Sequence, residues 1–245
     1  MVAKSRRVWL FDLDNTLHDA SHAAFGQTNA AMNDYMVRHL GLEPTEAARL
    51  RQHYWHRYGA TLLGLVRHHG VQAAHFLEHT HLHPGLEERL RTSAHDRAAL
   101  ARLSGRKFIV TNAPRRYTLR VLRTLGLLRS FDGVICIEDM SMFGQLRPKP
   151  DARMLSHLLA RLQARATDCV LVEDVLANQK SARALGMRTV WMQRYLDGRY
   201  RGPAHGRADG GSNLGLRRSE VGVHPCPDPR YVCAKIKSLQ QLLTL

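Results

Sequence analysis

The chain of 245 residues has no apolar run near the roughly 18–20 residues that a membrane helix needs, so no membrane span is expected. Its opening offers "KSRR" and then only Val8 to Phe11. That run is too short for the apolar part of a secretory signal, and a cytoplasmic location is expected. Cysteine is scarce and scattered: Cys136, Cys169, Cys226 and Cys233 include no two-residue-spaced pair of the kind that zinc and redox sites use. Acid is in short supply as well. Against 36 Lys and Arg stand 21 Asp and Glu, a formal charge of +15. Such an excess attracts polyanions and speeds the arrival of small anionic substrates. The arginines are spread along the chain, and no aromatic-rich platform accompanies the basic stretches "GRYRG" and "LRRSE". The charge therefore reads as a solvated surface, and no nucleic-acid partner is expected. No internal repeat is present.

What is there is a set of short, continuous apolar runs that each end in polar residues. "VWLF" stops at Asp12, "FIV" at Thr111, "GVICI" at Glu138 and "CVLV" at Glu173–Asp174. Continuous rather than alternating runs suit strands covered on both faces, as in a parallel sheet. Helical patterns alternate with them, from Arg115, from Asp151 and over "NQKSARALG", where Gly186 is placed as the C-cap before "RTVWM". The expected fold is α/β, a Rossmann-like doubly wound parallel sheet. Between Leu17 and about Leu103 the spacing is helical with no convincing strand. The predicted organisation is an α/β core of residues 1–17 and 104–245 with an all-helical cap inserted over 18–103. The Gly-, Arg- and Pro-rich stretch 197–227 reads as a surface loop, and "RYVCAKIKSLQQLLTL" as a last strand and helix.

In an open parallel sheet, ligands bind beyond the carboxyl ends of the strands. Asp12, Thr111 and Asp174 each occupy such an end. Clustered carboxylates are stable only if a cation neutralises them or one holds a proton. Asp12, Asp14 and Asp174 are hard-oxygen groups that favour Mg²⁺, an ion that can clamp a phosphate. Asp12 is then the candidate nucleophile, forming an aspartyl-phosphate. Asp14 is the candidate acid for the leaving oxygen and later the base for water. Thr111 offers a hydroxyl, Asn112 and Ala113 offer backbone N–H groups at a helix start, and Lys149, between Pro148 and Pro150, offers a fixed cation.

"DLDNT", "VTNA", "RPKPD" and "LVEDVLANQKSARALGM", in that order, resemble the four-motif set of the haloacid dehalogenase superfamily. The resemblance implies the same roles for Asp12, Asp14, Thr111, Lys149 and Asp174, with Asp14 giving its backbone carbonyl to the metal and Glu173 in support. Gln179 stands where that pattern has an apolar residue. Dehalogenases of the superfamily lack the second acid, because halide departs without a proton; Asp14 therefore implies a phosphatase or phosphotransferase. The inserted helices, with "YGATLLGLVRHHGV" and "FDLDNTLH", are similar to the pyrimidine 5′-nucleotidase branch, which implies a small phosphate ester of the UMP or CMP kind as substrate. Phosphoglycolate or a sugar phosphate is the alternative, since the motifs define the chemistry and not the leaving group. A basic nucleic-acid-binding protein on the same fold is a third reading, although such a relic would be expected to have lost one of the acids or Lys149.

Candidate substrate contacts in the cap are Tyr58, Arg67, His68 and His69, an aromatic ring and cations that can meet a base and a ribose or phosphate. His75 and His79 lie one helical turn apart, a spacing that can bind a transition metal, but no third ligand accompanies them in the sequence and a solvated face is expected.

Overall fold

The computed structural model describes residues 6–91, 93–196 and 229–245. The stretch 197–227, read above as a loop, lies outside them. In chain order the strands are β1 (Val8–Phe11), β2 (Arg106–Val110), β3 (Gly133–Ile135), a short pair β4 (Ser141–Met142) and β5 (Gln145–Leu146), then β6 (Cys169–Glu173), β7 (Arg188–Met192) and β8 (Ala234–Ile236). Six of them form one sheet in the order β3-β2-β1-β6-β7-β8, parallel at every pairing. The α/β doubly wound fold expected from the apolar runs is the one observed.

The runs are continuous because both faces of the sheet are covered. Trp9 and Phe11 turn to one side, with Ile109, Val170, Val172 and Val190, while Val8 and Leu10 turn to the other, with Phe108, Val110 and Leu171. Each large apolar side chain so buried contributes about 1.5–3 kcal/mol. The first face is packed by α6 (Ala94–Arg102), α7 (Arg115–Thr124) and the C-terminal turn over Leu239–Thr244. The second is packed by α8 (Ala152–Arg161) and α9 (Leu176–Ala184).

One strand is shorter than its apolar run. "GVICI" leaves the sheet after Ile135, because the Asp139 carboxylate accepts the Cys136 N–H at 2.8 Å and turns the chain into a tight helical turn over Ile137–Asp139. The sequence pattern does not predict the hairpin of β4 and β5. It is joined by Phe143 and Gly144, both with positive φ, the backbone that a two-residue hairpin requires.

The inserted segment holds α1 (Gly26–Leu40), α2 (Pro44–Tyr58), α3 (Thr61–His69), α4 (Ala73–Thr80) and the single turn α5 (Leu86–Arg89). Its first four helices enclose a core of their own, built on Tyr35, Met36, Tyr54, Leu62, Leu65 and Phe76, which also takes in Ile137 from the segment after β3. Gly64 lets α2 and α3 approach closely, since a Cβ there would stand 2.1 Å from the Tyr54 ring. Leu86, Leu90, Ala99, Leu100 and Leu103 fall within the 18–103 range but pack with Trp9 and Val121 under the sheet. Asp96 of α6 pairs with Arg194 and accepts the Leu239 N–H at 3.1 Å. Helical periodicity marks an apolar face without saying which surface will cover it.

Candidate active site

The registers of β1 bring three strand ends level. Phe11 pairs with Ile109 on one side and Val172 on the other, so Asp12, Val110 and Glu173 come abreast. The ladder runs one residue further at two of these ends: the Asp12 N–H donates to the Val172 carbonyl and the Thr111 N–H to the Ile135 carbonyl, both at 3.0 Å. Connections leave the sheet in opposite directions on either side of the β1–β6 pair, which makes this the crevice of an open α/β sheet.

Lys149 occupies the centre of the crevice, fully buried. Its Nζ donates to Asp12 Oδ1 at 2.7 Å and to Glu173 Oε2 at 2.6 Å. Asp174 completes an acidic trio: one ligand oxygen each from Asp12, Glu173 and Asp174 lie within 4.8 Å of one another. Three buried carboxylates thus face one ammonium. Two carboxylates about 4 Å apart repel by about 4 kcal/mol at an effective dielectric of about 20. Accordingly, burial and then the Glu173 carboxylate push the Asp12 carboxyl from 3.8 up to about 7, against the pull of Lys149. Burial and the same two neighbours, Glu173 and Asp12, raise Asp174 well above the carboxylate range. Burial alone would lower Lys149, but Asp12 and Glu173 more than reverse that and hold it charged. Negative charge in excess of its partner, presented on carboxylate oxygens, fits a hard divalent cation.

Neighbouring residues lock this group. The Asn112 side chain clamps the Lys149 backbone twice, Nδ2 donating to the Lys149 carbonyl at 2.9 Å and Oδ1 accepting the Lys149 N–H at 3.0 Å. Gln179, polar and fully buried, donates Nε2 to the Glu173 carbonyl at 2.8 Å, which explains a polar residue at an interior helix position. Trp191 Nε1 donates to the Asp174 carbonyl at 2.9 Å. Thr111 is buried, and its Oγ1 accepts the Ala113 N–H at 3.0 Å. The Ala113 N–H is therefore already engaged within the loop.

Asp14 sits apart from the lysine, in a pocket of aromatic rings. Its Oδ1 accepts the Tyr117 hydroxyl at 2.8 Å and lies 2.9 Å from His18 Nε2. His83 and His81 pack against the Tyr117 ring, at 5.0 and 6.2 Å between centroids. Burial, then His83, brings His81 down to about 4, and burial brings His83 to about 4, so both rings are neutral near pH 7. Burial, with Asp14 alongside, raises Tyr117 well above its usual value and keeps its proton in place to donate.

Three of the four cap candidates meet around Tyr58, and His69 joins them through Tyr54, whose ring centroid lies 5.9 Å from that of Tyr58. Tyr58 Oη lies 2.6 Å from His68 Nε2, the Arg67 guanidinium stands 6.0 Å from the Tyr58 ring centroid, and His69 Nε2 lies 2.8 Å from Tyr54 Oη. The turn that follows Tyr58 rests on the lysine loop, since a Cβ on Gly59 would be 2.9 Å from Pro150 Cδ and 3.5 Å from the Lys149 carbonyl.

The sequence pattern gives Glu173 only a supporting place, although it shares Lys149 with Asp12; its position directly before Asp174 is the available signal. His18, four residues after Asp14, carried a weaker one. Tyr117, His81 and His83 carried none, because only the tertiary fold brings α7 and the segment after α4 to Asp14.

Phosphate metabolism protein 8 of Saccharomyces cerevisiae is 25% identical over 198 residues, which make up 75% of this chain and 60% of the yeast protein. The chain thus spans about three-fifths of that relative's length. Among solved structures, a HAD phosphatase from Thermococcus onnurineus superposes with a TM-score of 0.58 at 20% identity, covering 97% of this chain and 96% of its own. The magnesium-bound HAD-hydrolase YfnB of Bacillus subtilis gives 0.53 at 18% identity, with 97% of each chain covered. At those identities the likeness is one of fold. The family profile is more specific: it matches residues 9–192 and so includes Asp12, Thr111, Lys149 and Asp174, and by that match the chain belongs to the haloacid dehalogenase-like hydrolases.

Proposed function

We propose that the protein is a phosphomonoesterase that works through an aspartyl-phosphate on Asp12, with a pyrimidine nucleoside 5′-monophosphate as substrate. The observation that carries the chemistry is the buried set of Asp12, Glu173 and Asp174 around Lys149, with Asp14 held separately by Tyr117 and His18. Asp12, Asp174 and the Asp14 backbone carbonyl would hold Mg²⁺, with Glu173 beside them. When bound, the ion screens the phosphate's charge from the attacking carboxylate.

The Asp12 carboxylate attacks phosphorus, and the ester P–O bond breaks as Asp14 gives its proton to the departing oxygen. Asp14 then takes a proton from the water that attacks the phosphoryl group, which releases inorganic phosphate and restores Asp12. Lys149 and the Thr111 hydroxyl, whose oxygen is already satisfied by Ala113, stabilise the phosphoryl oxygens. Tyr117 and His18 both engage Asp14 Oδ1, and in this reading Oδ2 is the oxygen that serves the leaving group. Removing the Tyr117 hydroxyl is expected to slow alkyl phosphates about tenfold or more, with little effect on p-nitrophenyl phosphate, whose leaving group needs no proton. Equal losses on both esters for Tyr117→Phe would contradict this role.

Two features support a nucleoside leaving group. The walls around Asp14 include neutral histidines and a tyrosine, which suit an uncharged alcohol better than the carboxylate of phosphoglycolate. The Tyr58–Arg67–His68 cluster, which adjoins the turn on the lysine loop, offers a ring and a cation for a base and ribose. Phosphate release from a panel of esters with Mg²⁺ tests the reading. UMP or CMP is expected to exceed phosphoglycolate at least about tenfold in kcat/KM, a difference of about 1.4 kcal/mol; a preference for sugar phosphates or phosphoglycolate overturns the nucleotidase assignment.

A further inference from the structure

We infer that His39, His75 and His79 form a transition-metal site on the helical layer, taking Zn²⁺ through three imidazole nitrogens and tying the last turn of α1 to α4. The sequence offers the pair His75 and His79 one turn apart on α4; the fold adds His39 from the end of α1. Ring centroids are 5.2 Å apart for His39 and His75, 5.9 Å for His39 and His79, and 4.1 Å for His75 and His79. Three imidazoles on one tetrahedral ion, at Zn–N distances of about 2.0–2.1 Å, hold their centres about 5 Å apart. As placed, the three sets of ring nitrogens do not converge on one point, and binding requires these exposed rings to turn toward one another.

The contacts behind the rings decide which nitrogens face outward. His79 Nδ1 donates to the His75 carbonyl at 2.7 Å, so its Nε2 carries the lone pair. His75 Nδ1 is 2.8 Å from the hydroxyl of Tyr35, a buried side chain whose ring also lies 4.4 Å from that of His39, tilted by 33°. Carbonyl and hydroxyl partners on the second ring nitrogen are what orient histidine ligands toward a metal. The chemistry differs from that of the acidic crevice: an all-imidazole set selects Zn²⁺, Cu²⁺ or Ni²⁺, whereas carboxylates select Mg²⁺. The fourth position is left to water, and the site's effect is to stabilise the helical layer by cross-linking two helices far apart in sequence.

Titration of the full chain with Zn²⁺ in excess Mg²⁺, followed by calorimetry, and with Co²⁺, followed by visible absorption, tests the site without reference to turnover. One saturable Zn²⁺ per chain is expected, together with Co²⁺ bands of tetrahedral nitrogen coordination and a rise in the thermal midpoint with Zn²⁺. H75A/H79A is expected to abolish all three, H39A to weaken Zn²⁺ binding about tenfold or more, and H53A, a histidine of α2 outside the cluster, to leave it unchanged. Circular dichroism checks that these surface variants fold. Wild-type affinity in H39A overturns the three-ligand site, as do an unaltered Co²⁺ spectrum in H75A/H79A and a lack of saturable Zn²⁺ binding in the wild type.

Discussion

Replacing Asp12 by asparagine is expected to reduce phosphate release by on the order of 10³-fold or more, with the fold intact. The amide has nearly the shape of the carboxylate and keeps an oxygen for the Lys149 Nζ contact now made at 2.7 Å. It lacks the charge and the nucleophilicity that an attack on phosphorus needs. Stability should not fall, because the change leaves Lys149 paired with Glu173 at 2.6 Å and removes one of the mutually repelling carboxylates. Two measurements separate nucleophile from bystander. Acid-quenched wild-type protein should carry one phosphoryl group on the peptide that contains Asp12, and the Asp12→Asn peptide none. Retained turnover, or a phosphoryl group on another residue, contradicts the assignment.

Removal of the cation has the second largest effect, on stability as well as rate. Lys149→Met keeps the bulk of a fully buried side chain but leaves Asp12, Glu173 and Asp174 without their ammonium. An uncompensated buried charge of this kind costs about 3–5 kcal/mol. Turnover should fall on the order of 10²–10³-fold, as when a fixed donor to a developing oxyanion is lost. The stability loss depends on pH with a definite sign. The carboxyl of Asp12 stands near 7 in the folded protein, raised by burial and Glu173 from 3.8. Between those values the folded state holds a proton that the unfolded state releases, so Asp12 makes stability fall as pH rises from about 4 to about 7. Without Lys149 that fall should steepen, since the folded carboxylates gain further reason to stay protonated. Thermal midpoints at pH 5.5 and pH 8 should therefore diverge more in Lys149→Met than in the wild type. Mg²⁺ should restore more of the midpoint at pH 8 than at pH 5.5, because only ionised oxygens bind it. A variant whose midpoint matches the wild type at both pH values shows that Lys149 does not neutralise this cluster.

The α/β sheet and the strand ends from which the site is built are legible in the order of residues alone. Strands covered on both faces are apolar over most of their length, and polar residues come where each run closes on the crevice, so "VWLF" before Asp12 and "CVLV" before Glu173, itself the buried last residue of β6, state their positions without any partner being known. Local patterning says less about what meets what. It carried the apolar run at Gly133 two residues past the true strand end, since the Asp139 carboxylate that turns the chain is itself a local device easily overlooked. It also could not show that Leu100 packs under the sheet rather than among the inserted helices.

Only the folded chain sets how the acids are grouped. Glu173 shares the lysine with Asp12, while Asp14 is turned away into a pocket of Tyr117, His18, His81 and His83. It likewise decided that a helical turn ending in Gly59 rests on Pro150 and that His39 joins His75 and His79. Charge coupling and desolvation depend on distances between groups remote along the chain, and those distances come into being only when the sheet closes its registers and the helices pack.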